Sequence, residues 1–73
     1  MKEQIKLLDV VALVNDLPER GLRRGQVGTI VELLKPDVFE VEFSDADGQP
    51  YAMLAVPADQ LMVLRYEAER AAG

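Results

Sequence analysis

Three clusters in this sequence carry residue types that could do chemistry. Asp45-Ala46-Asp47-Gly48 sets two carboxylates two residues apart beside a glycine, which resembles the start of a calcium loop. Such loops spread roughly six oxygen ligands over about twelve residues and close on a glutamate. Here Gln49, Pro50 and Tyr51 follow instead, so the segment reads as a hairpin turn with Asp47-Gly48 in the left-handed positions. Glu40 and Glu42 stand at strand spacing and share a face, as a general acid–base pair would need, but an outward acidic stripe explains them without catalysis. Arg20, Arg23 and Arg24 form the one basic cluster. Their guanidinium forks suit phosphate or an acidic partner. The opposing reading is a solvated loop in which Asp16, Glu19 and Glu32 balance them, and exposed pairs of that kind contribute little.

The composition removes most other chemistry. There is no cysteine and no histidine, so disulfides, thiolate metal sites and the usual nucleophile–base pairs are unavailable. Thr29 falls inside a strand pattern and Ser44 opens a turn, with no base beside either. The expectation is a protein that is not an enzyme and that holds no cofactor and no metal. A proline-peptide groove needs aromatic walls; with no tryptophan, only Tyr51 and Tyr66 could contribute.

The elements that must position these residues are short strands. Residues 8–14 (LDVVALV) are apolar and valine-rich, which at this length fits a strand better than a helix. Residues 15–25 (NDLPERGLRRG) form a long connection punctuated by turn formers, with Leu17 and Leu22 tucked back to pin it over the end of the fold. Residues 26–34 form a second strand in which Gly28 marks a bulge, a bend or a close backbone approach. After a tight turn at Lys35-Pro36-Asp37, residues 38–43 (VFEVEF) alternate cleanly, Phe39, Val41 and Phe43 on one face and Val38, Glu40 and Glu42 on the other. Residues 51–56 are a fourth strand, 57–60 a single 3₁₀-like turn, and 61–64 a short fifth strand. Residues 66–72 favour helix but are too few to hold one alone in water. The expected fold class is all-β: a small five-stranded barrel over residues 8–64, an N-terminal arm at 1–7 and a short helical C-terminal tail at 65–73.

A chain of 73 residues is one domain, and a domain this small is marginally stable. The formal net charge is −5, which disfavours nonspecific binding to phosphate backbones. No apolar run approaches the ~20 residues of a membrane span. The N-terminal MKEQIKLLDV has one lysine followed by an acidic and a polar residue and no small-residue cleavage site, so it does not read as a signal peptide. A cytoplasmic location is expected, with no membrane partner.

Five short strands, a long first loop, tight later connections and a 3₁₀ turn before the last strand describe an SH3-like barrel. GLRRGQVGTIVE is similar to the G-x-V-G-T-V-x-E pattern of translation-related SH3-like domains and of the small barrel in nitrile hydratase β-type subunits. That pattern encodes a bend entering a strand. DVVALVNDLPERGLRRGQVGTIVE, then VFEVEFSDADGQPYAMLAV, then PADQLMVL resemble an uncharacterised bacterial family of short SH3-like barrel proteins, domain-of-unknown-function number 4926. The resemblance covers residues 8–64. It implies a stand-alone barrel, often encoded beside small toxin-like proteins, and brings no catalytic residues.

Two strands carry more apolar surface than one barrel interior can hold. Val10, Ala12 and Val14 lie opposite Val11 and Leu13, and Ala52, Leu54 and Val56 lie opposite Tyr51, Met53 and Ala55. Either the arm and tail (Ile5, Leu7, Tyr66) cover the second faces, or those faces meet a partner. The resulting expectation is a small protein-binding module, extended by the resemblance to an immunity- or antitoxin-like partner of a neighbouring, toxin-like protein. The partner-binding candidates are Leu17, Arg20, Leu22, Arg23, Arg24, Glu40 and Glu42. The alternatives are an RNA- or ribosome-associated module, which the acidic charge disfavours, and a structural homo-oligomer.

Overall fold

The computed structural model describes residues 4–66 and Ala68 of the chain. They form five strands, β1 (Val10–Leu13), β2 (Val27–Lys35), β3 (Val38–Ser44), β4 (Pro50–Pro57) and β5 (Leu61–Val63), with 3₁₀ turns at Pro18–Arg20 and Ala58–Gln60. All neighbours are antiparallel, in the order β4-β3-β2-β1-β5. The fold class is therefore all-β, as expected. The strand pairing does not close into a barrel: β4 and β5 are the two ends of an open sheet. No helix follows β5 at residues 64–66 or at Ala68. The rest of the expected helical tail, residues 67 and 69–73, lies outside the described residues.

One core holds the sheet together, and every strand contributes to it. Val11 and Leu13 from β1, Ile30 from β2, Phe39, Val41 and Phe43 from β3, Leu54 and Val56 from β4, and Leu61 from β5 are buried. The register explains the set. Ile30 lies opposite Val41, which lies opposite Leu54; Gly28 lies opposite Phe43; and Phe39 lies opposite Val56. Fully burying an aliphatic or aromatic side chain of this kind contributes about 1.5–3 kcal/mol. Both edge strands feed this core, so the open sheet must curl around it.

β2 makes the curl possible. Its start pairs with both β1 and β3, and its end with β3 alone. Gly28 carries no bulge. It is a close approach, because an added Cβ would sit 2.7 Å from Val41 Cγ1 and 2.9 Å from the Glu42 carbonyl oxygen. The irregularities come later, between Ile30 and Glu32 and between Leu33 and Lys35, leaving Val31 and Leu34 as extra residues. Each extra residue bends the strand and shifts its alternation by one.

The first strand is shorter than the apolar run suggests. Residues 6–9 form a tight turn instead, in which Asp9 N–H donates to the Lys6 carbonyl at 3.1 Å and Lys6 N–H to Asp9 Oδ2 at 2.8 Å. Leu8 sits in this turn at φ 71°, a left-handed conformation that costs an L-residue about 1–2 kcal/mol. The arm covers the sheet only in part: Ile5 packs on the core, whereas Leu7 and Tyr66 are exposed and shield neither second face.

Candidate functional site

The loop between β1 and β2 is a built structure. Leu17 and Leu22 bridge each other, Leu22 N–H donating to the Leu17 carbonyl at 3.1 Å and Leu17 N–H to the Leu22 carbonyl at 2.8 Å. Between them Pro18–Arg20 makes a 3₁₀ turn that ends on Gly21 at φ 71°. Leu22 is buried in the core and Leu17 packs against it, as their apolar types predict. Leu22 is thus a packing residue, and a substitution there reads out folding before it reads out binding.

The three arginines of this loop are all exposed, but the expected balancing ion pairs are not formed. Among the described residues Asp16 instead accepts the Arg24 backbone N–H at Oδ1, 2.8 Å away. The Arg23 backbone N–H donates to Gln26 Oε1, and Gln26 Nε2 donates to the Tyr51 hydroxyl at 2.9 Å. Tyr51 is the extra residue of a bulge opposite Phe43 and Ser44, and its ring lies 6.4 Å from that of Phe43. The chain Arg23–Gln26–Tyr51 ties the basic loop to β4 across the rim of the fold. Residue types place Tyr51 in the fourth strand. They do not give Gln26 as the partner, since nothing in local spacing pairs residues so far apart.

Asp45 is spent on its own hairpin. Its Oδ1 accepts the backbone N–H of Asp47 at 2.9 Å and of Gln49 at 3.0 Å, while Gly48 takes φ 80°. The segment is a hairpin turn as expected, but Gly48 takes the left-handed conformation and Asp47 does not; the Asp45 carboxylate holds the turn instead, satisfying two donors that strand pairing leaves over.

The acidic stripe is the best-organised candidate. Glu40 and Glu42 are half-buried on the outer face of β3, as the alternation predicts. Glu32 joins them, directly opposite Glu40 across the β2–β3 ladder. Simple alternation from Ile30 would turn Glu32 inward; the extra residue Val31 turns it out. The outer face therefore carries the rows Thr29–Glu42–Met53 and Glu32–Glu40–Ala55, with Lys35–Val38–Pro57 beyond. Among the described residues none of the three glutamates takes part in a salt bridge or a side-chain hydrogen bond. Like charges directly opposite on a sheet are destabilising, and here no described side chain pairs with them.

The question of which apolar face is open also has an answer. Val11, Ala12 and Leu13 are all buried, so β1 is covered on both sides. On β4, Leu54 and Val56 face the core and Met53, at 51% exposure, faces out beside Glu42. The site so assembled is one outer sheet face with unpaired carboxylates and a neighbouring apolar strand. The arginine loop is held at the rim by Tyr51, and the structure does not bring its side chains into the glutamate rows. Two hollows accompany these surfaces. One, of about 1140 Å³, is lined by Ile5, Leu33, Phe39, Ala58, Leu61 and Val63 among others; the second, of about 570 Å³, lies under the loop against Asp16, Leu22, Arg23 and Arg24. Neither brings together a nucleophile and a base.

A family model described as "Domain of unknown function (DUF4926)" matches residues 7–63. No curated protein and no solved structure gives a match.

Proposed function

The chain belongs to the DUF4926 family, and from that premise we propose that it is a non-catalytic protein-binding module built on an SH3-like barrel. The strand order supports the SH3-like reading. A short first strand lies between β2 and β5, the long bent β2 is shared by both halves of the sheet, and a 3₁₀ turn precedes β5. The observation that carries the binding reading is the outer face: Glu32, Glu40 and Glu42 stand together, without counter-ions among the described residues, beside exposed Met53. Like charges directly opposite one another work against stability, and a cationic partner would turn that repulsion into attraction.

The mechanism is occlusion. The apolar strand and the carboxylates cover a complementary basic surface, with Arg20, Arg23 and Arg24 on the loop at the rim. The extension to an immunity- or antitoxin-like role, with a neighbouring toxin-like protein as partner, rests on the sequence resemblance alone.

The test is a tagged pull-down from the native host, with and without nuclease, followed by mass spectrometry. One protein recovered in near-equal amount and insensitive to nuclease is the expected result, and its recovery should fall in a Glu40→Lys/Glu42→Lys variant. Recovery that vanishes with nuclease replaces this reading with the nucleic-acid one. Return of the bait alone, with light scattering above the monomer mass, replaces it with a homo-oligomer.

A further inference from the structure

We propose that the free edge of β4 accepts a sixth strand from the partner, an extended segment whose outward residue opposite Ala55 is Lys or Arg and whose flanking residues are apolar. The proposal rests on the protein-binding reading and names the chemistry of what is bound.

Three observations carry it. The first is the edge. β4 spans eight residues and pairs only with β3, whereas the opposite edge, β5, spans three. Among the described residues no backbone group of β4 hydrogen-bonds outside that ladder. Exposed edges are normally blunted by charge, proline, bulges or shortness. Here the bulge at Tyr51 and the proline at Pro57 protect the two ends only. Residues 52–56, Ala-Met-Leu-Ala-Val, have no charge and no proline between them.

The second is the path from that edge to the carboxylates. Ala55 lies directly opposite Glu40, and Glu40 directly opposite Glu32. Strands are spaced about 4.8 Å apart, so a residue opposite Ala55 on a sixth strand stands about 10 Å from Glu40 at the backbone. Only the methyl group of Ala55 lies between them. A Lys or Arg stem can lie over that methyl with its charge at the glutamate row. In the adjacent row Met53 fills the same space, and an apolar outward residue packs there. The residue between these two falls beside Leu54, and the next beside Val56, both core residues; those positions are apolar as well.

The third is charge. The face offers three unpaired carboxylates against one lysine, Lys35. A second copy of the chain brings net charge −5 and no cation on β4, so self-pairing would leave the rows as they are. A cationic strand satisfies the free backbone edge and the carboxylates in one geometry, which is how strand addition combines affinity with specificity.

The probe is an acetylated, amidated peptide of about seven residues, the length of an ordinary strand, with one central arginine flanked by two valines on each side and a lysine at each end for solubility, followed by fluorescence anisotropy against the full chain. Four results are expected. The peptide binds, and hydrogen exchange slows at residues 52–56. Ala55→Arg, which places a cation in the path at an exposed position, weakens binding about tenfold or more. Glu40→Gln weakens it several-fold, and circular dichroism shows both variants folded. A peptide with the same side chains but alternate backbone nitrogens methylated also binds about tenfold more weakly or worse. Equal binding by the methylated peptide overturns the proposal, since attraction would then be charge alone. So does unchanged affinity in Ala55→Arg, or a dimer that Ala55→Arg disperses. If a native partner is recovered and Ala55→Arg still retains it, this assignment fails while the protein-binding reading stands. If no protein partner is recovered at all, the broader reading fails first.

Discussion

Neutralising the centre of the acidic stripe should make this protein more stable. Glu40 faces Glu32 directly across β2 and β3 and has Glu42 two residues along the same face. Directly opposed Cβ atoms on a sheet lie about 5 Å apart and diagonal or next-but-one neighbours about 7 Å, which places the carboxylates about 6 and 7 Å from one another. With the dielectric of water, each pair repels by about 0.6–0.7 kcal/mol before screening. The Debye length is ~30 Å at 0.01 M salt, ~8 Å at 0.15 M and ~3 Å at 1 M. Glu40→Gln should therefore add about 0.6–1 kcal/mol at 0.01 M, about 0.3–0.6 at 0.15 M and under about 0.2 at 1 M, the lower figures being the Glu32 pair alone. The opposed pair with Glu32 exists only in the folded state, so its share appears in full, while Glu42 also repels Glu40 in the unfolded chain. For a domain of this size, the low-salt gain corresponds to a rise in Tm of roughly 2–8 °C. Urea denaturation of the parent and Glu40→Gln at the three salt concentrations measures the difference. Glu19→Gln, on the loop and away from the rows, is the control and should change stability by less than about 0.5 kcal/mol. A Glu40→Gln protein that is destabilised, or stabilised equally at all three salts, refutes the argument that the stripe is held against electrostatic repulsion.

Other substitutions test the framework around the stripe. Gly28→Ala forces a methyl against Val41 Cγ1 and the Glu42 carbonyl oxygen and should cost about 1–3 kcal/mol by chemical denaturation; a neutral result would show that β3 can move away. Leu22→Ala should cost about 2–5 kcal/mol and shift the thermal midpoint sharply, whereas Arg24→Ala should leave stability within about 0.5 kcal/mol. Asp45→Ala removes the acceptor of two hairpin N–H groups and should cost about 1–2 kcal/mol, seen as faster amide exchange at Asp47 and Gln49. Leu8→Gly relieves the left-handed strain at φ 71°, and after the entropy that glycine adds to the unfolded chain it should still stabilise by up to about 1 kcal/mol, measured by thermal denaturation.

Much of this architecture was legible because β3 has one environment on each side. Phe39, Val41 and Phe43 are all buried and Glu40 and Glu42 half-buried on the other face, so period-two alternation reads both core and stripe correctly. The hairpin at Asp45 and the tucked leucines follow from local chemistry in the same way. Alternation fails where the backbone adds a residue. The irregularities at Val31, Leu34 and Tyr51 reverse the faces of everything beyond them, and residue types do not mark such positions. That is why Glu32 is missing from the sequence-based site and why Tyr51 turns to Phe43 and Gln26. The turn at residues 6–9 is hidden for a different reason. Its left-handed position holds a leucine where glycine or asparagine would announce a turn, and the run LLDVV reads straight through it.

The two bulges in β2 also connect fold to function. A strand long enough to join both halves of a small sheet must bend, and each bend here costs one unpaired residue. The first of these, Val31, rotates Glu32 from the core side to the outer face, where it completes the glutamate rows. The device that lets the sheet curl around Phe43 and Ile30 is thus the one that concentrates negative charge beside β4. Were Val31 drawn into the ladder opposite Glu40, pairing would be regular and Glu32 would fall opposite Phe39, on the core face. A buried, unpaired carboxylate there would cost far more than the repulsion it escapes. The stripe is therefore tied to the curvature of the fold. Its carboxylates can be neutralised singly, as Glu40→Gln does, but they cannot be moved off the face without unbending the sheet.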